Sequence, residues 1–318
     1  MKKNVLLHIG RHKSGTTSLQ EFLSRNEKWL EENGYEYLKI YRSIYAHHPL
    51  AELLAKKNIK NKTEDEIEKI VKKVRLEILD TSRRGSTLLI SSEGFQNCDP
   101  EIVRKVFPED IFNIEIVCYF RDQVSYLISS YMQAIHANFR VDVFDKYIRY
   151  FDADYWAFLE KWSKNFENIN IRKFSKNSLI NSNIIDDFVI NFLELKPLET
   201  EKYNSNPSLS RRYLSFKLMY NQKYLDGKIE EPFGPGKLYV LLGKFSEEDN
   251  TGKLMTTDIQ REYIIKKYDE SNKRVFEKYL PGDSFEYGAA DNNMGIYEME
   301  EDEYEEIFYR INNHKWPL

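Results

Sequence analysis

Short apolar runs alternate with longer segments of mixed polarity in the N-terminal part of the chain. Three runs of strand length, Val5 to Ile9, Thr87 to Ser91 and Ile114 to Phe120, show no regular polar alternation. Such runs are typical of strands that are buried on both faces of a parallel sheet. A fourth run spans Ile169 to Phe174. Because helix-like segments separate the runs, the pattern predicts an α/β fold with a doubly wound parallel sheet.

Two of the intervening helices have distinct sequence signals. After the first apolar run, apolar residues recur at helical spacing from Leu19 to Leu30, which predicts one helix that ends near Gly34. Further along, Thr63 and Glu66 form a capping box, in which each residue bonds the backbone of the other. The capping box predicts that a second helix begins at this point.

The C-terminal part of the chain has a different pattern. Beyond Asn204 it becomes helix-rich, with Arg261 to Tyr279 as the clearest example. The last segment is acidic and has a weak apolar stripe between Tyr304 and Ile311. We therefore predict one domain over residues 1–282 and an acidic tail over residues 283–318 that forms a peripheral helix. A helix that docks on a partner is the alternative for the tail.

Composition excludes several classes of protein. The chain has 318 residues, and 47 Lys and Arg against 51 Asp and Glu give a formal net charge of −4. This balance argues against a generally basic nucleic-acid binder and against binding to anionic membranes. Hydrophobic residues make up 41% of the chain, which is enough for a sizeable core. The two cysteines, Cys98 and Cys118, are too few for a disulfide framework or a zinc site.

The apolar runs also bear on localisation. All of them are far shorter than the ~20 residues that a membrane-spanning helix needs. The apolar stretch after Met1-Lys2-Lys3 is broken by His8 and has no small-residue cleavage site after it, which argues against a signal peptide. We therefore expect a soluble, cytoplasmic protein without a transmembrane segment.

The segment between the first predicted strand and the first predicted helix has the most informative chemistry. Gly10 and Gly15 would let the backbone approach an anion closely, and backbone N–H groups at the helix N-terminus could donate to it. The segment is not a Walker A loop, because Lys13 stands two positions before Gly15 instead of directly after it. A turn without a ligand is the alternative. The candidate anion-binding residues are Arg11, His12, Lys13, Ser14, Gly15, Thr16 and Thr17.

A second basic position follows another strand. Arg121 comes directly after the run Ile114 to Phe120, and Ser129 lies in the helix-like segment beyond it. With this pair, the sequence resembles the sulfotransferases that use 3'-phosphoadenosine-5'-phosphosulfate. The Lys13 to Thr17 segment resembles their 5'-phosphosulfate loop, and Arg121 with Ser129 resembles their 3'-phosphate clamp. Two anion sites on one sheet edge suit a nucleotide with phosphate at both ends of its ribose.

Within that family, the chain resembles the bacterial enzymes that modify carbohydrates and polysaccharides. The resemblance covers most of residues 4 to 280, and its further landmarks are His47-His48-Pro49, Ile90 to Glu93 and Asp154-Tyr155. It implies a P-loop-like three-layer sandwich with a helix-rich C-terminal part. It also implies a metal-free transfer of a sulfuryl group from the nucleotide to a hydroxyl of a glycan or glycan precursor. Cytosolic enzymes for small molecules differ, since they have tryptophan where this chain has Ser18.

Lys13 and Arg121 have different roles in this interpretation. Sulfuryl transfer places charge on the bridging oxygen of the leaving nucleotide, so that a fixed cation such as Lys13 would lower the barrier. Arg121 could contact a phosphate with two parallel hydrogen bonds, which a lysine could not. The alternatives are a solvated loop lysine and an arginine that pairs with Asp122 or Glu93.

The acceptor hydroxyl needs a base, for which the sequence offers two candidates. Glu93 is the first, because it follows the buried strand Thr87 to Ser91 and so lies at the carboxyl edge of the sheet. His48 or its neighbour His47 is the second, although both could instead cap the helix that starts near Pro49. Two rival functions remain open at this point: a P-loop-like nucleotide kinase or hydrolase, and a non-catalytic nucleotide-binding protein.

Overall fold

The central element of the fold is a parallel sheet. A computed structural model describes residues 2–11, 13–199, 208–230 and 235–314. The strands within these ranges are β1 (Lys3–His8), β2 (Tyr35–Tyr37), β3 (Thr87–Ser91), β4 (Phe112–Phe120) and β5 (Ile169–Lys173). They pair in the order β2-β3-β1-β4-β5, and every pair is parallel. The predicted α/β class with a parallel sheet is therefore confirmed.

Helices account for most of the remaining ordered structure. The helices of the described ranges are α1 (Thr16–Arg25), α2 (Glu27–Glu32), α3 (His48–Leu54), α4 (Lys56–Ile59), α5 (Glu64–Thr81), α6 (Pro100–Val106), α7 (Gln123–Asn138), α8 (Phe144–Tyr150), α9 (Tyr155–Ser163), α10 (Ile184–Phe192), α11 (Arg211–Leu225), α12 (Pro235–Glu247), α13 (Asp258–Tyr279) and α14 (Glu301–Asn312). Short 3-10 helices span Glu93–Asn97 and Ile180–Ser182.

The helix signals in the sequence were partly correct. The capping box forms as predicted, because Glu66 N–H donates to Thr63 Oγ1 at 3.3 Å and Thr63 N–H donates to Glu66 Oε2 at 2.8 Å. The prediction of one helix through Leu30 was wrong. Asn26 separates α1 from α2, and its side-chain amide donates to the Phe22 carbonyl at 2.8 Å. The Asn26 N–H donates to the same carbonyl at 3.1 Å, and the break lies in the backbone angles of Asn26, φ −112° and ψ 30°, which are not helical.

The chain forms two compact units. Unit 1 consists of Met1–Arg121, Asp154–Ser205 and Glu270–Phe285, and it contains the sheet. Val5 and Leu7 of β1 pack into a buried cluster with residues of α3, α5, α6 and α9. Leu6 points to the opposite face and packs with residues of α1 and α10. Helices thus cover both faces of the sheet, which explains why its strands lack polar alternation.

Unit 2 consists of Asp122–Ala153, Asn206–Asp269 and Glu286–Leu318. Its described residues form helices around one buried cluster, which confirms the helix-rich C-terminal part. In α14, Tyr304, Ile307 and Ile311 are buried in that cluster, and the Tyr304 ring stacks on Phe216 with centroids 4.9 Å apart. The boundaries of the two units differ from those of the predicted domain, 1–282, and the predicted tail, 283–318. The division into a functional domain and a tail stays a prediction.

Two further findings concern membranes and thiols. Among the helices of the described ranges, none combines the length and the apolar character that crossing a membrane requires. Cys98 and Cys118 are both buried free thiols. Cys118 lies in β4, and Cys98 follows the first of the 3-10 helices.

A buried carboxylate ties α10 to the sheet. The Asp187 side chain is fully buried, and it accepts hydrogen bonds from Arg172 Nε at 2.6 Å and Arg172 Nη2 at 2.8 Å. It also accepts from the Tyr119 hydroxyl at 2.8 Å and from the Ile180 N–H at 3.1 Å. Because Tyr119 and Arg172 lie on β4 and β5, this carboxylate fixes α10 against one edge of the sheet.

Removing this carboxylate should destabilise the protein strongly. Asp187→Ala leaves the guanidinium and the tyrosine hydroxyl without their partner, so that we expect the free energy of unfolding to fall by about 3 kcal/mol. The neighbouring Asp186 is only half-buried and accepts one exposed hydrogen bond from Asn181. Asp186→Ala should therefore cost about 0.5 kcal/mol or less in the same urea titration. Equal losses in the two variants would contradict the role given to Asp187.

Candidate active site

The predicted site residues follow three neighbouring strands. β1 lies between β3 and β4, with His8 paired to Ser91 on one side and to Val117 on the other. Beyond the strand ends, Ser92 N–H donates to the His8 carbonyl at 3.1 Å. The loop after β1, Glu93 after β3 and Arg121 after β4 therefore all leave the sheet at its carboxyl edge. Ligands of open α/β sheets bind at this edge.

The loop between β1 and α1 adopts an unusual backbone conformation. Lys13 has φ +68° and Gly15 has φ +71°, both in the left-handed region. Ser14 is buried, and its hydroxyl closes the turn by donating to the Arg11 carbonyl at 2.7 Å. His12, which the sequence also proposed, lies outside the described residues.

The turn leaves the N-terminus of α1 open. Gly15 is the N-cap residue, so no side chain accepts from the first-turn N–H groups, and this turn contains no acidic residue. Thr16 is buried, whereas Thr17 is exposed. Unpaired N–H groups and the helix dipole together favour an anion at such a terminus.

Close packing explains why glycines stand at both ends of the turn. A Cβ on Gly15 would lie 2.6 Å from Phe174 Cε2, in addition to the strain of its positive φ. A Cβ on Gly10 would lie 2.8 Å from Thr16 Cγ2. The backbone therefore comes close to its neighbours at both positions, and only glycine fits without displacement.

Lys13 carries its charge in an unfavourable environment. Its side chain is partly buried. Burial lowers the pKa of the Lys13 ammonium, the nearby Arg121 lowers it further, and the Glu93 carboxylate opposes both effects. Two cations at one sheet edge repel each other, so a bound anion between them would relieve the repulsion.

Aromatic side chains contact Arg11 and Arg121, the two arginines of the predicted site in unit 1. The Tyr155 ring stacks on Phe120 with centroids 4.1 Å apart, and its hydroxyl donates to the Arg121 carbonyl at 2.6 Å. The guanidinium of Arg11 lies 5.6 Å from the centroid of the same Tyr155 ring and 5.1 Å from that of Phe158. Tyr155 therefore contacts both basic residues.

Ser129 lies in α7, which belongs to unit 2. Its side chain is half-buried. Asp122, one of the partners that the sequence allowed for Arg121, accepts from Ser125 N–H at 2.9 Å and so caps α7. The pairing of Arg121 with Ser129 on one phosphate stays a prediction.

The two candidate bases are neighbours. His48 Nε2 lies 4.0 Å from Glu93 Oε1, and His48 Nδ1 is hydrogen-bonded to Ser92 Oγ at 2.8 Å. The His48 side chain is half exposed, whereas that of Glu93 is 15% exposed. The two groups are therefore close neighbours but are not hydrogen-bonded to each other, since proton transfer requires about 2.6–3.2 Å.

His47 has a different environment from His48. It is fully buried; its Nδ1 accepts from Ser91 N–H at 3.1 Å, and its Nε2 lies 2.7 Å from the Leu38 carbonyl. Burial lowers the pKa of His47 to about 4. With both ring nitrogens bonded to backbone groups, His47 has none left for an acceptor hydroxyl. It is the N-cap residue of α3, but its side chain makes no capping bond there.

Sequence reasoning missed two buried polar residues beneath the loop. Gln20 Nε2 donates to Glu93 Oε2 at 3.0 Å and to Ser91 Oγ at 3.2 Å. His8 Nδ1 is hydrogen-bonded to the same Ser91 Oγ at 2.8 Å, and burial lowers the pKa of His8 to about 4. Gln20 could have been noticed as a polar residue within the apolar stripe of α1, between Leu19 and Leu23.

The described residues give no indication of a metal site. No group of three or more His, Cys, Asp or Glu side chains within them is arranged to hold a metal ion.

Comparison with known proteins gives limited further information. The chain matches no protein-family model. An uncharacterized protein from Archaeoglobus fulgidus is 25% identical over 233 residues, or 70% of this chain and 62% of that protein, so that the chain spans less than two thirds of this relative. A crystal structure of a sulfotransferase from Alicyclobacillus acidocaldarius matches with a TM-score of 0.37 and 14% identity, over 73% of this chain and 98% of the other. At these levels of similarity, neither protein decides what this chain does.

The left-handed backbone at Lys13 leads to a testable prediction. Glycine tolerates positive φ, whereas other residues are strained there by about 1 kcal/mol. The free energy of unfolding of Lys13→Gly should therefore exceed that of Lys13→Ala by about 1 kcal/mol, although both variants lack the amine. In α5, where Lys72 is exposed and helical, Lys72→Gly should be less stable than Lys72→Ala by a similar amount. The same order at both positions would argue against the left-handed turn.

Proposed function

We propose that this protein is a sulfotransferase that moves the sulfuryl group of 3'-phosphoadenosine-5'-phosphosulfate to a hydroxyl of a carbohydrate. The observation that supports this most strongly is the position of Lys13, which has left-handed backbone angles just before the open N-terminus of α1. Arg121, which directly follows β4, lies near enough to lower the pKa of Lys13. This arrangement suits a ligand with several negative charges. The preference for a carbohydrate acceptor rests on the sequence resemblance alone.

The donor binds through its two phosphate-bearing ends. The 5'-phosphosulfate occupies the Gly10 to Thr17 turn, where the N–H groups of α1 and the Thr16 and Thr17 hydroxyls donate to it. Arg121 contacts the 3'-phosphate, to which the resemblance also assigns Ser129. We assign Arg11, His12 and Ser14 to the 5' end as well, as part of the segment that the sequence proposed. No metal ion is required for these contacts, because the protein itself supplies the positive charge.

Lys13 acts on the leaving group. In an in-line displacement, the acceptor oxygen forms a bond to sulfur as the bond to the bridging oxygen of the 5'-phosphate breaks. Negative charge then collects on that oxygen, and the Lys13 ammonium stabilises it. A pair of unit charges at about 4 Å is worth about 4 kcal/mol at an effective dielectric constant of 20. The negative charge of the bound donor also raises the pKa of Lys13, which burial and Arg121 lower in the free protein.

Glu93 accepts the proton of the acceptor hydroxyl. Its carboxylate lies at the same sheet edge as Lys13 and is mostly buried, so it is held in place near the reacting groups. His48 lies beside it with a half-exposed ring and orients the acceptor. His48 is the second candidate for the base. Because its Nε2 lies only 4.0 Å from Glu93 Oε1, position alone does not decide between the two, and variants of each are needed.

Ligand binding tests the proposed donor. Without added Mg²⁺, 3',5'-bisphosphoadenosine should raise the melting temperature clearly more than AMP or ATP does, because only the bisphosphate fills both anion sites. Arg121→Ala should weaken bisphosphate binding by about 10-fold or more, as expected for loss of a charged hydrogen-bond partner. Arg25→Ala, which removes an exposed arginine of α1, serves as the control.

Three other outcomes would overturn this proposal. Equal stabilisation by AMP would remove the 3'-phosphate contact. A preference for ATP with Mg²⁺ would favour a nucleotide kinase or hydrolase. Tight binding of the sulfate donor without any transfer to saccharide hydroxyls would favour a non-catalytic nucleotide-binding protein.

The base is tested by variants that keep the shape of the side chain. Glu93→Gln removes the ability to take a proton, so we expect bisphosphate binding to persist and sulfuryl transfer to fall by about 100-fold or more. His48→Gln should lower transfer less, through poorer orientation of the acceptor. Transfer of radiolabelled sulfate to a panel of oligosaccharides measures both effects. If Glu93→Gln is fully active and His48→Gln is inactive, His48 is the base.

A further inference from the structure

Gln20 is a buried amide in the helix that begins at the anion-binding turn. Its side chain is only 3% exposed, and it lies one turn after Thr16, the first residue of α1. The amide nitrogen donates to Glu93 Oε2 at 3.0 Å and to Ser91 Oγ at 3.2 Å. Because the nitrogen has two hydrogens, it can make both bonds at once. An ionised carboxylate only accepts hydrogen bonds, which fixes the nitrogen, and not the oxygen, on the side of Glu93.

The second bond of Gln20 is anchored in the sheet. Ser91 is the last residue of β3, and it pairs with His8 of β1. His8 Nδ1 is hydrogen-bonded to Ser91 Oγ at 2.8 Å, and both side chains are buried. Burial lowers the pKa of His8 to about 4, so that this histidine is neutral near pH 7. Gln20 is therefore held on one side by a buried, uncharged pair of residues and reaches Glu93 on the other.

We propose that Gln20 is a positioning residue for Glu93. Its hydrogen bond to Oε2 fixes the orientation of the carboxylate, whose Oε1 lies 4.0 Å from His48 Nε2, as the group that takes the proton of the acceptor. It also connects the base to α1, the helix whose first turn binds the donor. This inference rests on the proposed function, in which Glu93 is the base.

The pH dependence of transfer should report this role. Among the described residues, the titratable or charged groups that face Glu93 include Lys13 of the loop, His8 of β1, Tyr37 of β2 and His48 of α3. Burial lowers the pKa of His8 to about 4 and raises the pKa of Tyr37. We therefore expect a change at Gln20 to act on the acid limb of the rate profile through Glu93. Loss of the Gln20 hydrogen bond destabilises the charged carboxylate and raises the pKa of Glu93.

Gln20→Met tests the inference, because methionine has a similar length but no hydrogen-bond donor. We expect bisphosphate binding to change by less than about twofold, since the hydrogen bonds of the Gln20 amide run to Ser91 and Glu93. We expect kcat to fall by about 10-fold or more, as a misplaced reacting group would cause. The acid limb of the kcat profile should move to higher pH, and it should do so in the His48→Gln background as well.

A double-mutant cycle separates positioning from a structural role. In the Glu93→Gln background, Gln20→Met should lower kcat little further, because the group that it positions has already been removed. Leu23→Met, a buried apolar exchange one turn further along α1, controls for altered packing. Gln20→Asn, which withdraws the amide by one methylene, gives a second variant if Gln20→Met does not fold. An equal loss of kcat in the wild-type and Glu93→Gln backgrounds would overturn the inference.

A measurement without turnover distinguishes this inference from the proposed function. NMR titration of carboxyl-labelled glutamates should show a higher pKa for Glu93 in Gln20→Met than in the wild type. An unchanged Glu93 pKa would overturn the positioning role even if the protein transfers sulfate. A raised pKa in a protein that transfers no sulfate would support the contact and refute the proposed function.

Discussion

The backbone turn that joins β1 to α1 sets the geometry of the whole site. Lys13 and Gly15 both have positive φ, and Gly15 packs so closely against Phe174 that a side chain larger than hydrogen does not fit there. The turn therefore fixes the lysine and the open N-terminus of α1 relative to each other. The parallel arrangement of β3, β1 and β4 then brings Glu93 and Arg121 to the same edge. The open helix N-terminus, Lys13 and Arg121 favour an anion at this edge, and Glu93 places a carboxylate beside them.

Buried histidines stabilise the strand end from which Glu93 leaves the sheet. His8 binds the Ser91 hydroxyl, and His47 accepts from the Ser91 backbone N–H. Burial lowers the pKa of both histidines to about 4, so neither adds positive charge to the site near neutral pH. Near neutral pH, the positive charge beside Glu93 therefore comes from Lys13 and not from these two histidines. His48 differs from its neighbour because its ring is half exposed beside Glu93.

The sequence was sufficient for the main strands and for the edge of the sheet where the site lies, because buried parallel strands are apolar throughout. It missed Tyr35–Tyr37, since a strand of three residues is too short to show a pattern. It also missed the helix break at Asn26, where the backbone angles of a single residue leave the helical region. The position of Glu93 at the edge followed from its place shortly after a buried strand. The bond between Gln20 and Glu93 could not be predicted, because it depends on which face of α1 packs against β3.

A crystal structure with 3',5'-bisphosphoadenosine tests the central claim most directly. The account predicts the 5'-phosphate in the Gly10 to Thr17 turn, with backbone N–H groups of α1 and the Lys13 amine within hydrogen-bonding distance of its oxygens. It predicts the Arg121 guanidinium on the 3'-phosphate. A bisphosphate bound away from this turn, or one whose 5'-phosphate makes no contact with Lys13, would contradict the account.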